Sequence, residues 1–521
     1  MADHREISVA EFFEKNRHLL GFNNPQKAII TCVKEAVDNS LDACEEEKIL
    51  PEIHVNVEET GDERLRLQVK DNAVGIDRSK IPKIFGKLLY GSKFHKLQQT
   101  RGQQGIGISA SGLYAQLTTG KPVKIYSKKK GNEDTHMFKV HIDTQENEPE
   151  IVEDRIVDDY DFDHGTSIDM EIEGKYTHGH HSVPTYLKHT AIMNPYAKLV
   201  LNEPDGNKIE YPRVSKDLPP RPKEIKPHPH GVELGILMRM VENTNARTVS
   251  SFLKSEFTRV GRTSAENILE KAGINKKKRP PTLEKADMED LLDAMQNVNL
   301  QNPPTNCLSP IGERLIDEGL EKELNPEFVA SVTRSPSVYR GNPYQIEAAI
   351  AFGGDIKSKG TYKMLRYANK VPLLYKKSSC ATTKAVRETD WSRYGLKQKG
   401  ERPKGPVYIL VHMASVWVPF TSEGKEAVAN YPEIVKEMKL ALQEVGRKTK
   451  TYLSKKRKAK ARKKKKKQLT AYGKVVSPSI ADLAGAEDER VKEQLMEILN
   501  DRYGETSQEK VESQVIKNDR T

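Results

Sequence analysis

Glu35-Ala-Val-Asp-Asn-Ser-Leu-Asp42, set inside the run from Asn24 to Glu47, is the stretch whose reading decides the fold. Asn24 followed by Pro25 has the form of a helix N-cap with proline at the first helical position. Ile29, Cys32, Val33, Ala36, Val37 and Cys44 then recur at helical spacing, which predicts a helix with one face buried. At 100° per residue Glu35, Asn39 and Asp42 fall within about 60° of one another, beside the apolar stripe rather than in it. An acid, an amide and a second acid thus share one ridge. Such a ridge suits magnesium nucleotide chemistry: Mg²⁺ takes hard oxygen ligands and keeps several waters, and a carboxylate one turn away can deprotonate an attacking water. A solvated acidic face has the same pattern, so the choice falls to the residues downstream.

The chain has 521 residues, room for about three domains of ~150 residues. Charged residues make up 31% and the mean hydropathy is −0.69, as expected of a soluble protein. No apolar run approaches the ~20 residues that span a bilayer, and Met-Ala-Asp-His-Arg-Glu lacks the apolar core of a signal peptide. A cytoplasmic protein with no membrane role is therefore expected. Cys32, Cys44, Cys307 and Cys380 are far apart and unpaired in sequence, which predicts reduced, buried thiols. The net charge of +11 is uneven, with eleven basic residues in the thirteen from Lys455 to Lys467, and points to a polyanionic partner.

Downstream of the helix, Ile53 to Val57 and Leu65 to Val69 alternate like strands around the turn Thr60 to Glu63, predicting a hairpin. The second strand ends in Asp71-Asn-Ala-Val-Gly75-Ile76. An acid there can accept from an exocyclic amine beside a glycine that leaves room for a flat base; an ordinary Asx turn looks similar. Next come Gly91-Ser-Lys-Phe94 and Arg101-Gly-Gln-Gln-Gly-Ile-Gly-Ile-Ser109, the latter opening a helix through Ala115. Glycines 102, 105 and 107 free the backbone to curl N–H groups around phosphate oxygens at a helix N-terminus. Neither a Walker loop nor a Rossmann fingerprint is present.

Glu35 to Asp42, Asp71 to Ile76, Gly102 to Gly107 and Gly165-Thr166 resemble the four ordered boxes of the GHKL ATPases, the group that joins gyrase B, MutL, heat-shock chaperones and histidine kinases. Ala36 to Ala43, Gln99 to Gly107, Val338-Tyr-Arg-Gly-Asn-Pro343 and Val418 to Glu426 look more specifically like the B subunits of archaeal-type topoisomerase VI, over about residues 5 to 470. The resemblance implies an α+β multidomain architecture: a GHKL (Bergerat) α/β sandwich over 1–228, a helix-two-turns-helix insert over 229–306, an α/β transducer ending in a long basic helix over 307–470, and a C-terminal helix and polar tail over 471–521. It implies Glu35 as general base, Asn39 as Mg²⁺ ligand, Asp71 as adenine reader with Gly75 beside it, and Ser92 and Lys93 as lid residues. Gly102, Gln103, Gln104, Gly105, Ile106, Gly107, Ile108 and Ser109 would wrap the phosphates of ATP, with Thr166 under the lid. Two positions depart from the pattern. Ala73 stands where glycine is usual, tolerable at negative φ, and Ser109 where relatives often carry lysine.

Val123 to Ser127, Met137 to Ile142 and Gly165 to Ile172 read as further strands. Thr177-His-Gly-His-His181 reads as a surface loop or a metal site, as do His228 and His230. Prolines from Leu218 to Pro229 mark a linker. Thr244 to Leu253 then reads as helix, followed by a turn at Arg259 to Arg262 and a helix capped by Thr263 and closed by Gly273; Lys276 to Arg279 is either DNA-facing or a solvated charge run. Ile346 to Phe352, Val371 to Tyr375, Val407 to Val411 and Val416 to Phe420 read as buried strands, and a long helix is expected from near Ala427 to about Lys467, with another from Ile480 to Tyr503. Lys425, in the loop before the long helix, would by resemblance reach the γ-phosphate of ATP and act catalytically. The implied function is an ATP-driven gate: two B subunits pair on ATP binding, and an A subunit in an A2B2 heterotetramer cleaves double-stranded DNA, relaxing and decatenating it. A MutL-like clamp and a non-enzymatic nucleic-acid-binding protein are the rivals.

Overall fold

The structure is a computed structural model that describes residues 7–92, 96–102, 105–158, 160, 163–357, 360–422 and 424–503. It divides into two compact units, Met1–Asp390 with Lys397–Gly446, and Trp391–Leu396 with Arg447–Thr521. Lys93, Gln103 and Gln104 lie outside the described residues.

The first unit opens with α1 (Val9–Lys15) and α2 (Pro25–Glu46). Asn24 caps α2 as its sequence predicts, its side chain accepting from the Lys27 N–H at 2.8 Å, with Pro25 in the first turn. The hairpin of β1 (Glu52–Gly61) and β2 (Arg64–Asp71) pairs Ile53 with Asp71. The strands β3 (Val123–Lys128), β4 (Thr135–Asp143), β5 (Glu148–Val157) and β6 (Gly165–Glu173) extend the sheet beyond β2, and β7 (Lys198–Asn202) and β8 (Lys208–Tyr211) extend it beyond β1. Among the described residues the order is β5-β4-β3-β6-β2-β1-β7-β8, with β7 parallel to β1. Alternate residues of β1 to β3 are buried, as in a sheet with one covered face. That face carries α2, α3 (Ile81–Gly86), α4 (Gly107–Thr119) and α5 (Val183–Met193) over a core that includes Ile29, Val33, Val37, Val55, Leu67, Ile125 and Ile168.

Four helices follow: α6 (Leu234–Asn243), α7 (Val249–Glu256), α8 (Arg262–Lys271) and α9 (Lys285–Asn297), around a core of their own centred on Leu237, Phe252, Ile268 and Leu291. After α10 (Glu313–Leu324), a second sheet is built from β9 (Phe328–Thr333), β10 (Ser337–Tyr339), β11 (Asn342–Phe352), β12 (Lys363–Ala368) and β13 (Val371–Pro372). Beyond α11 (Ala381–Arg387) and the small hairpin of β14 (Lys397–Lys399) and β15 (Arg402–Lys404), β16 (Val407–Ser415) inserts between β11 and β12. Residues Ile192, Met193 and Tyr196 share a core with Ile316, Leu320, Ala349 and Tyr367, which locks the two sheets together through α5 and α10. In the second unit α12 (Pro432–Ala484), which begins in the first, continues from Arg447, and α13 (Asp488–Tyr503) turns back along it, with Lys465 over the Tyr503 ring.

The expected α+β class holds, and several boundaries move. β5 lacked a signal because its residues are largely exposed and charged, so the apolar alternation that marks a half-buried strand is missing. The helix expected from Thr244 begins at Val249, where Thr248 and Ser251 form a capping box, and α8 is capped by Gly261 instead of Thr263. The strand at Val371 stops after Pro372, and Val416 to Phe420 forms a single bridge from Phe420 to Val428. α12 begins at Pro432 and passes Lys467 to reach Ala484 with Pro478 inside it, absorbing the start of the helix expected at Ile480. Phe252 is fully buried and meets Phe257 edge to face at 5.5 Å. Phe252→Ala should therefore cost about 3–5 kcal/mol of stability, read by urea denaturation followed by far-UV circular dichroism.

Candidate functional site

A cavity of about 570 Å³ opens where α2, the Asp71–Ile76 turn, Gly102, Gly105–Gly107 and β6 meet two loops of the second sheet, Pro372–Tyr375 and Gly424–Glu426. Glu35, Asn39, Asp71, Gly75, Ser92, Gly102, Gly105, Ile106, Gly107, Ile108, Thr166 and Lys425 all line it. Each reaches it for a local reason. Helical spacing along α2 sets Glu35 and Asn39 one turn apart, and Asn39 is exposed to the cavity while Ser40 beside it is buried.

Asp71 ends β2 at the cavity floor. Its Oδ2 accepts from Ser40 Oγ at 2.7 Å, and its Oδ1 accepts from the N–H groups of Ala73 and Thr166, both at 3.0 Å. A carboxylate has roughly four lone-pair positions, so one remains on Oδ2 for a ligand donor. Burial raises the Asp71 carboxyl against these three donors. Ala73 has negative φ, which removes the difficulty of its replacing a glycine, whereas Gly75 sits at φ +75° where a Cβ would meet the Lys128 carbonyl oxygen at 2.2 Å.

The start of α4 presses on the acid of α2. A Cβ on Gly107 would lie 1.9 Å from Glu35 Oε2, so only glycine lets the N-terminus of α4 and the carboxylate occupy the same corner. Lys34 Nζ sits 2.7 Å from Glu35 Oε1. Burial works to raise the Glu35 carboxyl, but the charges of Lys34 and Lys425 outweigh it and hold Glu35 below the usual carboxylate range. Burial also pulls the Lys425 ammonium down, opposed by Glu35. Lys425 has φ +51° and donates from Nζ to the Arg101 carbonyl oxygen at 3.5 Å. Next to it Glu426 pairs with Lys27 at 2.5 Å and Lys376 at 3.2 Å.

One expectation is corrected. Ser109 does not line the cavity; it is buried, and its hydroxyl donates to the Ile106 carbonyl at 3.1 Å within the first turn of α4. Asp42 shares the helical ridge but is turned to Arg101, whose guanidinium meets it at 2.8 Å. The residues around Arg101 escaped the sequence reading. Its buried guanidinium also contacts Glu45 at 2.5 Å and Asn194 at 2.6 Å, and Lys370 Nζ reaches Glu45 at 2.9 Å. The one sequence signal was the position of Arg101 beside Gly102. Among the described residues no cluster of His, Cys, Asp and Glu has the form of a metal site, and His181 packs on Tyr375 at the cavity rim.

Residues 28–166 match the family model described as Histidine kinase-, DNA gyrase B-, and HSP90-like ATPase, and with the helix-covered sheet this defines the class as a GHKL-type ATPase. Residues 303–465 match the model for the transducer of the topoisomerase VI B subunit. The chain is 52% identical over 455 residues to the B subunit of type 2 DNA topoisomerase 6 from Archaeoglobus fulgidus, covering 87% of this chain and 75% of that protein. It is 51% identical over 451 residues to the corresponding protein of Methanococcoides burtonii, covering 86% and 72%, and 39% identical over 482 residues to that of Saccharolobus solfataricus, covering 92% and 89%. The chain belongs to the family of type 2 DNA topoisomerase 6 B subunits. No described helix is long and apolar enough to cross a membrane.

Around Arg101 the electrostatics make a pH prediction. Burial would raise the Glu45 carboxyl, but Arg101 and Lys370 bring it from 4.5 down to about 2. A depressed acid stabilises the fold above its unfolded value and loses that contribution as pH falls through its folded value. Stability should thus decline between pH 4.5 and about 2, and Glu45→Gln should flatten that limb in urea denaturation at stepped pH.

Proposed function

We propose that the cavity binds and hydrolyses ATP with Mg²⁺, and that the energy gates passage of one DNA duplex through another. The observation that carries this is the convergence of Glu35, Asn39, Asp71 and Lys425 on one cavity from three separate elements. Its volume of about 570 Å³ suits a nucleotide. The free lone pair of Asp71 Oδ2 takes the exocyclic amine of adenine, and Gly75 leaves space for the ring. Backbone N–H groups of Gly102 and of Gly105 to Ile108, with the N-terminus of α4, take the phosphates.

Asn39 offers the hard carbonyl oxygen that Mg²⁺ favours; when bound, the ion supplies neutralising charge to the phosphates. Glu35, held ionised by Lys34 and Lys425, accepts the proton of a water as its oxygen bonds to the γ-phosphorus and the β–γ bridging bond breaks. Lys425 pairs with the γ-phosphoryl group in place of the Arg101 carbonyl. Because it is carried on the second sheet, its attachment differs before and after hydrolysis, as a nucleotide switch requires. Two such chains pair on ATP binding, and a separate A subunit in an A2B2 assembly cuts and reseals double-stranded DNA, relaxing and decatenating it. The basic run Lys455 to Lys467, exposed along α12, suits sequence-independent phosphate contact.

Glu35→Gln should retain binding of a non-hydrolysable ATP analogue and lose about 10²–10⁴ in turnover, measured with DNA and the A subunit present. A wild-type chain that neither binds the analogue nor dimerises with it would sink the reading. Lys425→Ala should bind nucleotide yet lose relaxation of supercoiled DNA by the reconstituted complex, scored on agarose gels.

A further inference from the structure

Asn369 and Lys370 form the two-residue turn between β12 and β13, where Ala368 pairs with Val371. Both have positive φ, +47° and +70°, as a type I′ turn requires. Asparagine is common at the first such position, but the second strongly prefers glycine. Lysine there accepts backbone strain that glycine would not, so the reason for it lies in the side chain.

That side chain is buried and leads away from its own sheet. Lys370 Nζ meets Glu45 Oε2 at 2.9 Å near the end of α2, and Glu45 Oε1 meets the Arg101 guanidinium at 2.5 Å. Arg101 precedes Gly102, and its carbonyl oxygen receives Lys425. Asn369 holds the same segment from the other side, its Nδ2 donating to the Thr100 carbonyl at 3.2 Å while its amide clasps Ser415. The turn is fixed behind as well. The Lys370 N–H donates to His412 Nε2 at 2.9 Å, which leaves the proton on Nδ1 to bond Glu347 at 2.8 Å. Glu347, fully buried in β11, also accepts from the N–H groups of Ile311 and Gly312 at the head of α10 and from Thr333. A continuous buried chain of hydrogen bonds therefore runs from the head of α10 to the phosphate loop.

We propose that Lys370 is a positioning residue for ATP hydrolysis: through Glu45 and Arg101 it sets Gly102 against Asn39 and Glu35 of α2, giving the second sheet a second hold on the site beside Lys425. This rests on the reading of the cavity as an ATPase site. Lys370 does not line the cavity, so its loss should fall on turnover more than on binding.

The test compares Lys370→Gly, Lys370→Arg, Glu45→Gln and the Lys370→Gly/Glu45→Gln pair in the full chain. It measures melting temperature, affinity for a non-hydrolysable ATP analogue, and kcat and KM for magnesium ATP. Glycine relieves the turn but strips Glu45 of one of its two buried cations, so Lys370→Gly should melt below wild type, yet at an assay temperature where both are fully folded it should keep KM within about threefold and lose about tenfold or more in kcat. Lys370→Arg, which can still reach Glu45, should recover most of the loss. The pair should be no worse than the poorer single variant, since both cut one path. A Lys370→Gly chain with wild-type kcat, a loss that the unfolded fraction at the assay temperature accounts for, additive losses in the pair, or no recovery with arginine would each overturn the proposal. If wild type hydrolyses ATP and Glu35→Gln does not, any such failure belongs to this inference and leaves the ATPase reading standing.

Discussion

The buried guanidinium of Arg101 is the constraint on which the rest of the first unit depends. A guanidinium cannot shed its charge, so removing it from water demands compensating carboxylates and carbonyls in fixed places. Asp42 and Glu45 supply them from α2, and Asn194 supplies another from the end of α5. One residue thereby sets the position of the nucleotide-facing helix, the glycine loop and the helix that packs on the second sheet. Breaking a buried pair of this kind costs roughly 3–5 kcal/mol because the surviving charge is left stranded. The loop is thus specified by electrostatics as much as by the freedom of its glycines.

The charges in the cavity follow the same logic at its other end. Glu35 and Lys425 face each other across the site, and each shifts the other toward its ionised form against burial. A base kept ionised and a cation kept without a carboxylate partner at bonding distance among the described residues are what a phosphoryl-transfer site requires. Asp38, one turn from Lys34 and bonded by the Tyr186 hydroxyl at 3.0 Å, is raised by burial to about 6; it pairs with Lys34 at 3.7 Å, farther than the 2.7 Å from Lys34 to Glu35. The sign of each shift is set by the balance of burial against all the charges, like and opposite, that reach the group.

How much of this was legible in the sequence divides along contact range. The cap at Asn24, the hairpin to Asp71, and the placement of Glu35 and Asn39 were readable because each depends on residues within a few positions. Helical spacing also placed Asp42 correctly on its ridge, but only the fold could say that Arg101 faces it. Glu45 and Lys370 stand 325 positions apart, and nothing local in either segment announces the other. β5 was hidden for a different reason: at a sheet edge with little burial, the apolar alternation that marks a strand is not required. Ser109 was misplaced because a serine in a first helical turn can satisfy itself on the turn's own carbonyl instead of reaching outward.

Backbone strain in the second sheet tells where that sheet acts. Lys370, Lys376 and Lys425 all have positive φ, at +70°, +49° and +51°. A left-handed conformation costs a residue with a Cβ about 1–2 kcal/mol, and glycine would avoid it. Lys376 and Lys425 instead place their ammonium groups at the cavity, on Glu426 and the Arg101 carbonyl, and Lys370 places its own on Glu45, away from the cavity lining. Strain of this kind persists only where the surroundings over-determine it, and here the ion pairs and the buried Glu347–His412 anchor do so. If a nucleotide's phosphates compete for one of these ammonium groups, the pairing that offsets its strained turn is lost at the same moment. The second sheet then has a reason to move that comes from its own backbone, and no separate spring is needed.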